Sequence, residues 1–447
     1  MHQAYTPIPC LPGWPVVGNI FALRYQRLDL LSQISQRYGE IGAFHFGPRL
    51  VPLLNSPELV RGALVEQYSS FEKTATVRAL GRPVIGNGIF LSEGERHRRH
   101  RRVIAPLFQP RKLLPYTQLM LDCVCRLQAG WRDGEIIDLG AEMTRLTLWI
   151  ISALLFGADV SGEESELGEA LTVIFAHFAG MVTNPLHLPL AWPTPAHRRV
   201  RRALERVNAT IARLLEQRRA SGEPGADMLS HLLYARDEES AFLLDESALR
   251  DEALSLFVAG HETTANALTW CWYLLTQHPD VYAHMQAEGD SVLQGRSPTS
   301  SDLPNLPYTL HVFQETLRLY PPVYAFTRQT VAPVQLGGYL IPQGTSVVIS
   351  PYTLQRRASL FPDPLRFDPQ RFDPRNRLAG ERYAYLPFSA GPRICLGMNL
   401  ALLESQLILT ALTQHLTFEF VGPAPLLPQP LLTLRPGNAV LMKVRRR

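Results

Sequence analysis

The sequence predicts a mainly α-helical enzyme with small β-sheets, and three observations predict it. From Pro57 to about residue 285, apolar residues recur at three and four spacing, the period of half-buried helices. Short strand-like runs frame that stretch, at residues 41–54 and again at 331–350. A segment rich in proline and arginine, from Phe361 to Pro387, then shows no periodicity, and loops of that length usually carry function.

In chain order, residues 7–18 form an irregular lead-in rich in proline and glycine. A helix from Leu28 to Tyr38 and two strands, Ile41 to Phe46 and Leu50 to Leu54, follow. Helical spacing is clearest over Met120 to Leu127, Met143 to Phe156, Val200 to Leu215 and Leu249 to Leu275. Strand patterns return at Val331 to Leu340 and Ser346 to Ser350. A last helix runs from just after Cys395 to about Leu412, and Leu432 to Leu434 with Val440 to Val444 read as a terminal hairpin. There is no internal repeat and no low-complexity linker. With 447 residues the chain forms one large domain or two closely packed ones, and 46% hydrophobic against 19% charged residues excludes a disordered or fibrous chain.

The net charge of +4 is spread along the chain, without a like-charge block long enough for a nucleic-acid arm. Only Lys73, Lys112 and Lys443 are lysines among 44 basic residues, which points to a GC-rich, bacterial coding sequence. Five scattered cysteines, an odd number in a chain too large to need staples, argue against a disulfide framework and for a reducing cytoplasm. Cys123 and Cys125 stand two apart on a helix, which turns them to different faces and disfavours a shared metal; core packing is their expected role. The apolar stretch from Trp14 to Leu23 is short and broken by Pro15, Gly18 and Asn19, so neither a signal peptide nor a membrane anchor is expected.

Four segments carry chemistry. The sharpest is Phe388-Ser-Ala-Gly391-Pro-Arg393-Ile-Cys395-Leu-Gly397, a cysteine in a glycine-punctuated turn just before a helix. Turn amides and a helix N-terminus both favour a thiolate. Gly391 and Gly397 would admit a flat ligand, Phe388 would pack by the sulfur, and Arg393 would pair with a ligand carboxylate. The plain alternative is a buried inert cysteine, and five residue types at fixed spacing stand against it. The second segment, Ala259-Gly260-His261-Glu262-Thr263-Thr264, puts an acid and two hydroxyls inside a long apolar helix. Ala259 and Gly260 would leave room for a flat group. Thr263 would bond back to the preceding turn and open the backbone ladder, with Glu262 beside it to deliver protons. A zinc-protease reading of His261-Glu262 fails, because the required second histidine is replaced by Ala265. His261 is read as a packed or surface histidine, and Glu262 as a surface acid remains open.

The third segment is Glu315-Thr-Leu-Arg318, opposite charges on one helical face, ended by Tyr320-Pro321-Pro322. Such pairs are common on solvated faces; this one gains weight from the irregular segment after it, where a buried Arg371 would complete a charge network. The fourth is Gly94 to Arg102, in which His97 and Arg101 stand four apart and could clamp an anion. Arg98, Arg99 and Arg102 read as a basic exposed face able to dock an acidic partner.

In this order and at these separations, the four segments resemble the cytochrome P450 family over nearly the whole chain. The resemblance implies a single domain over 1–447 with no fused reductase. A β-containing lobe would comprise about 1–70 and 320–390 beside a helical lobe, and haem b would lie between a long central helix and the cysteine loop. Cys395 is then the iron's axial ligand, and Glu262 and Thr263 are the acid and alcohol of oxygen activation. Glu315, Arg318 and Arg371 form the structural network, and His97, Arg101, Arg328 and Arg393 hold the propionates. His97 stands where the family often has tryptophan, and Asp368-Pro-Gln-Arg371-Phe372 matches the family's proline-glutamate-arginine pattern loosely. The family position also implies a pocket of Val77, Leu80, Ile85, Phe178, Ala259, Thr263, Val323, Ala325, Phe326 and Leu432, nearly all apolar.

The expected activity is a monooxygenase that hydroxylates or epoxidises a lipophilic small molecule such as a terpenoid, carotenoid or fatty acid. It would use O2 and two electrons from a ferredoxin with its reductase, or from a flavodoxin. A peroxide-driven haem-thiolate enzyme is the first rival, and the presence of Glu262 and Thr263 argues against it. A non-catalytic haem sensor is the second, opposed by the retention of every catalytic position.

Overall fold

The computed structural model describes residues 5–157, 169–170, 173–174, 176–177, 190–221, 225, 227–237, 242–376 and 382–447. Ten of its helices matter here: α1 Arg27–Tyr38, α2 Ala75–Ile85, α3 Gly94–Ile104, α4 Thr117–Ala129, α5 Leu139–Phe156, α6 Pro195–Ser221, α7 Glu246–Gln277, α8 Pro279–Leu293, α9 Pro307–Leu319 and α10 Met398–His415. The chain divides into two compact units, Met1–Arg78 with Gln314–Cys395, and Ala79–Phe313 with Leu396–Arg447.

The first unit is built on a five-stranded sheet of β1 (Ile41–Phe46), β2 (Arg49–Leu54), β3 (Phe71–Glu72), β5 (Phe326–Thr330) and β8 (Ser346–Ile349), in the order β1-β2-β8-β5-β3. β1 and β2 meet through a two-residue turn, with Phe46 opposite Arg49 and Gly47 at φ 58°. β8 lies parallel to β2, Leu53 beside Val348. One side of the sheet buries Ile41, Leu54, Val347 and Ile349 with Leu386 and Ala390 of the late irregular segment. The other side buries Leu53 and Val348 against Leu30, Leu31 and Ile34 of α1. The end of the late segment is therefore held by its apolar residues, and the described part of it carries a short 3-10 turn at Pro369–Phe372.

The second unit is organised around α7. Asp245 caps its start by accepting from Ala248 N–H at 2.8 Å, as Asp138 caps α5 through Gly140 N–H at 3.1 Å. α7 is buried along most of its 32 residues. It lies against α5, where Phe156 and Phe257 rings are 5.6 Å apart and Thr147 Oγ1 donates to the His261 carbonyl at 3.1 Å. α5 is apolar and long enough to cross a membrane, but 61% of it is buried, which makes it a core helix of this unit. A three-stranded sheet of β4 (Ile136–Asp138), β12 (Leu441–Arg446) and β9 (Leu416–Phe420), and a hairpin of β10 (Pro428–Pro430) and β11 (Leu434–Pro436), complete the unit.

Four sequence expectations need correction. The run Val331 to Leu340 is not one strand: Gly337 and Gly338, at φ 53° and 84°, turn it into a hairpin of β6 (Val334–Leu336) and β7 (Tyr339–Ile341). The terminal strands do not pair with each other, since β11 pairs with β10 and β12 with β4 and β9; local alternation cannot reveal a distant partner. Cys125 is exposed and Cys123 only partly covered, so they do not build the core. α7 stays α-helical throughout, without the interruption expected at Thr263.

Candidate active site

In the first unit, Glu315 and Arg318 at the end of α9 are both fully buried. Arg318 Nε donates to Glu315 Oε2 at 2.6 Å and its Nη2 to Oε1 at 2.8 Å, a fork-to-fork pair. The other donors of Arg318 reach the carbonyls of Gln355 (2.8 Å), Pro364 (2.7 Å) and Arg366 (3.0 Å), so all five N–H groups are engaged. Asp368 N–H also donates to Glu315 Oε1 at 3.0 Å, and Arg371 Nε stands 3.4 Å from that oxygen. Burial pushes the Glu315 carboxyl above its usual range, and Arg318 offsets only part of that rise.

Sequence reasoning missed the other half of this network. Buried Gln355 donates to the carbonyls of Leu317 and Arg318 and accepts from Leu386 N–H at 2.7 Å, while Tyr385 O–H donates to the Gln314 carbonyl at 3.0 Å. The charge pair and Gln355 thereby tie Pro364, Arg366, Asp368 and Leu386, residues that lead up to the cysteine loop, to α9.

That loop begins with Ser389 N–H donating to the Leu386 carbonyl. Ser389 and Gly391 both have positive φ, 60° and 71°. Gly391 was expected to admit a flat ligand. The structure shows a packing need at this position: a Cβ there would lie 2.0 Å from the Leu64 carbonyl oxygen, so only glycine lets the loop backbone sit against residues 62–66. Cys395 N–H donates to the Phe388 carbonyl at 2.9 Å, and the Cys395 side chain is exposed, three residues before α10 begins. Phe388, Arg393 and Gly397 are half-buried, with Arg393 in the short turn Gly391–Arg393 and Gly397 at the N-cap of α10. Arg328, on β5, is buried with its guanidinium over the Phe326 ring, and its Nη1 donates to the Thr327 carbonyl at 2.9 Å.

In the second unit, Thr263 Oγ1 donates to the Ala259 carbonyl at 2.9 Å. Leu256, Ala259, Thr263 and Asn266 make a partly accessible strip along the middle of α7, with Ala259 exposed. A Cβ on Gly260 would meet Ile151 of α5 at 2.6 Å, so this glycine lets α7 pack closely against α5. His261 is buried with Nδ1 3.3 Å from the Phe257 carbonyl, and desolvation holds its imidazole below the usual range. Glu262 is buried, not a surface acid. Its Oε1 accepts from Thr433 Oγ1 at 2.8 Å and from Arg435 Nη2 at 2.5 Å, while Oε2 has no hydrogen-bond partner among the described residues. No local signal in the sequence marks Thr433 or Arg435 as its partners.

On α3, His97 is buried and Arg101 partly so. Arg98 and Arg99 both bind Glu95, and Arg102 binds Asp237 at 2.8 Å, so the basic face is largely paired. Of the expected pocket residues, Leu80 and Ile85 are buried. Val77, Ala325, Phe326 and Leu432 are partly covered, Val323 is exposed, and Phe178 lies outside the described residues.

The residues fit a haem. An accessible thiol on a backbone-locked loop can supply a soft axial sulfur, and the open strip at Ala259 and Thr263 offers a flat group a helix face without bulky side chains. No group of three or more histidine, cysteine or carboxylate side chains able to hold a bare metal ion occurs among the described residues.

The family model described as Cytochrome P450 matches residues 8–442. Cyclooctatin synthase of Streptomyces melanosporofaciens is 34% identical over 440 residues, covering 98% of this chain and 95% of the relative. Cyclooctat-9-en-7-ol 5-monooxygenase of the same organism is 36% identical, covering 90% and 87%. Pentalenene oxygenase of Streptomyces avermitilis is 32% identical, covering 94% and 93%. The crystal structure of cytochrome P450DA heme domain superposes with a TM-score of 0.91 at 26% identity, covering 100% of this chain and 99% of that one. The chain belongs to the cytochrome P450 family: it is a haem-thiolate monooxygenase that takes electrons from a redox partner and oxidises a hydrophobic substrate.

Proposed function

We propose that this monooxygenase inserts one oxygen atom of O2 into a C–H or C=C bond of a terpenoid hydrocarbon skeleton, the second oxygen leaving as water with two electrons and two protons. The observation that carries this reading is the accessible strip of α7, where the small Ala259 and the hydroxyl of Thr263 interrupt an apolar wall. The names of three relatives, which concern cyclooctatin, cyclooctat-9-en-7-ol and pentalenene, support a terpenoid over a linear fatty acid.

Haem b is the cofactor, and its iron, ligated by a thiolate, supplies oxygen activation, because sulfur donation favours cleavage of the O–O bond. Cys395 holds the iron; His97, Arg101, Arg328 and Arg393 hold the propionates; Phe388 and Gly397 shape the sulfur side. Glu262 and Thr263 manage protons: Thr263 offers a hydroxyl that can turn from the Ala259 carbonyl, and Glu262 Oε2 is a buried acceptor with no hydrogen-bond partner among the described residues. Val77, Leu80, Ile85, Val323, Ala325, Phe326 and Leu432 exclude water and hold the substrate by shape. A ferredoxin with its reductase, or a flavodoxin, supplies the electrons in the bacterial cytoplasm.

The test begins with the reduced protein under carbon monoxide. A strongly red-shifted Soret band, absent in Cys395→Ala, establishes the sulfur ligand. Turnover of a panel of cyclic terpenes and fatty acids with a ferredoxin system then decides the substrate class, and oxidation of fatty acids alone overturns the terpenoid assignment. Thr263→Ala is expected to keep the carbon monoxide band and to lower product formed per electron pair by about tenfold or more. An unchanged yield removes Thr263 from proton delivery and favours peroxide-driven chemistry.

A further inference from the structure

The face of α7 that carries Ala259 and Thr263 continues toward its N-terminus through Leu256 to Glu252. Steps of four, three and four residues keep these side chains on one side of the helix. Leu256, Ala259 and Thr263 are accessible, but Glu252 at the head of the strip is fully buried. The segment 86–92, which joins α2 to α3, covers it. Glu252 Oε2 accepts from Ile89 N–H at 2.9 Å, and Oε1 lies 2.5 Å from His100 Nδ1 on α3. One residue earlier, Asp251 Oδ2 accepts from Asn87 N–H at 2.7 Å. Two consecutive carboxylates of α7 thus hold alternate amides of one loop. Gly88 makes the approach possible, since a Cβ there would lie 2.5 Å from Ser255 Oγ and 2.7 Å from the Asp251 carbonyl oxygen.

Apolar side chains could have joined a loop to a helix without desolvating a carboxylate. A carboxylate gives something packing does not: a hydrogen bond fixes the loop at one distance and register, whereas apolar contacts can slide and repack. The loop held this way borders the strip one to two turns from Ala259. Phe90, the next residue of the loop after Ile89, is 46% exposed.

We propose that Glu252 is a positioning residue that sets the distance between the 86–92 loop and α7, and thereby the length of substrate the strip over Ala259 and Thr263 accepts. His100 holds the carboxylate in the orientation that receives Ile89. The proposal rests on the reading of this strip as one wall of the substrate pocket.

The experiment uses haem-loaded wild type, Glu252→Ala, Glu252→Gln and Gly88→Ala. The oxidised proteins are titrated spectrally with imidazole and with 1-alkylimidazoles of rising chain length, and hydrogen exchange of residues 86–92 is followed by mass spectrometry. In Glu252→Ala, imidazole is expected to bind within about twofold of wild type, while the ratio of affinities for long and short chains changes by about fivefold or more and the loop exchanges faster. Glu252→Gln, which still presents an oxygen to Ile89 and an N–H to His100, is expected to restore both. Gly88→Ala leaves every charge in place and moves the loop off α7 by sterics, so it should alter chain-length dependence as well, and it decides the matter if Glu252→Ala does not fold. Faster loop exchange with unchanged chain-length dependence overturns the proposal and leaves a purely structural contact. Absence of any spectral response to imidazole in wild type overturns the haem reading itself and takes the proposal with it, whereas the exchange data remain informative about the loop.

Discussion

Buried charges show how single residues serve this enzyme at a cost to stability. Arg318 has every donor engaged, and Glu315 is equally enclosed, so removing one partner strands the other without water. Arg318→Ala is expected to cost about 3–5 kcal/mol in denaturant unfolding and to leave little haem-loaded protein. Arg318→Lys should recover only part of this, because an ammonium cannot match five fixed bonds. Glu404, on α10, has no ion-pair partner among the described residues, and its Oε1 accepts no hydrogen bond among them. Burial alone pushes its carboxyl from 4.5 up to about 8. The folded chain thus keeps a proton that the unfolded chain releases, and the stability this group contributes is present below pH 4.5 and is lost as pH rises toward 8. Glu404→Gln should remove that slope. Unfolding midpoints of variant and wild type should diverge from pH 6 to 8, the variant gaining up to about 1.4 kcal/mol per pH unit. Parallel curves would show that Glu404 is already ionised in the fold.

At the scale of elements, the cysteine loop is where local sequence was most informative. Two glycines, an arginine and a cysteine before a helix are short-range signals, and the loop they describe is locked by short-range bonds. The packing role of Gly391 was not legible there, because its neighbour, Leu64, lies far away in sequence. Gly391→Ala combines a left-handed backbone with a clash against a carbonyl. It is expected to lower stability by at least about 1–3 kcal/mol and to speed haem loss on heating, read from the Soret band. Substitution without effect would mean that the loop is soft enough to move from residues 62–66. α7 teaches the same lesson. Its spacing and unusual polar residues marked it in the sequence, but the partners of Glu262 lie 171 and 173 residues away and those of Glu252 lie 152 and 163 away. Periodicity carries no information about such pairings. It also misled at Val331–Leu340, where two consecutive glycines outweighed the strand pattern.

For the whole molecule, helical content and small sheets followed from chain-wide periodicity, while strand partners did not, because a register is a property of two distant segments. Charge behaves similarly. The sequence presents a net +4 and a run of arginines on α3, which suggests an acidic redox partner docking there. The structure pairs that run with acids: Glu95 binds both Arg98 and Arg99, and the two guanidiniums hold its carboxyl below the usual range. The local field is therefore weaker than a count of arginines implies, and the lever is the acid. Glu95→Gln should release two exposed guanidiniums and add one net positive charge without touching the fold. If α3 belongs to the docking face, the variant should be reduced by an acidic ferredoxin about two- to threefold faster than wild type at low ionic strength. The advantage should vanish near 0.5 M salt, where the screening length falls to roughly 4 Å. Stopped-flow reduction across a salt series measures both effects. Equal rates for the two proteins at low salt would place the partner on another face, since an exposed unit charge within a screening length of the docked surface cannot be silent there.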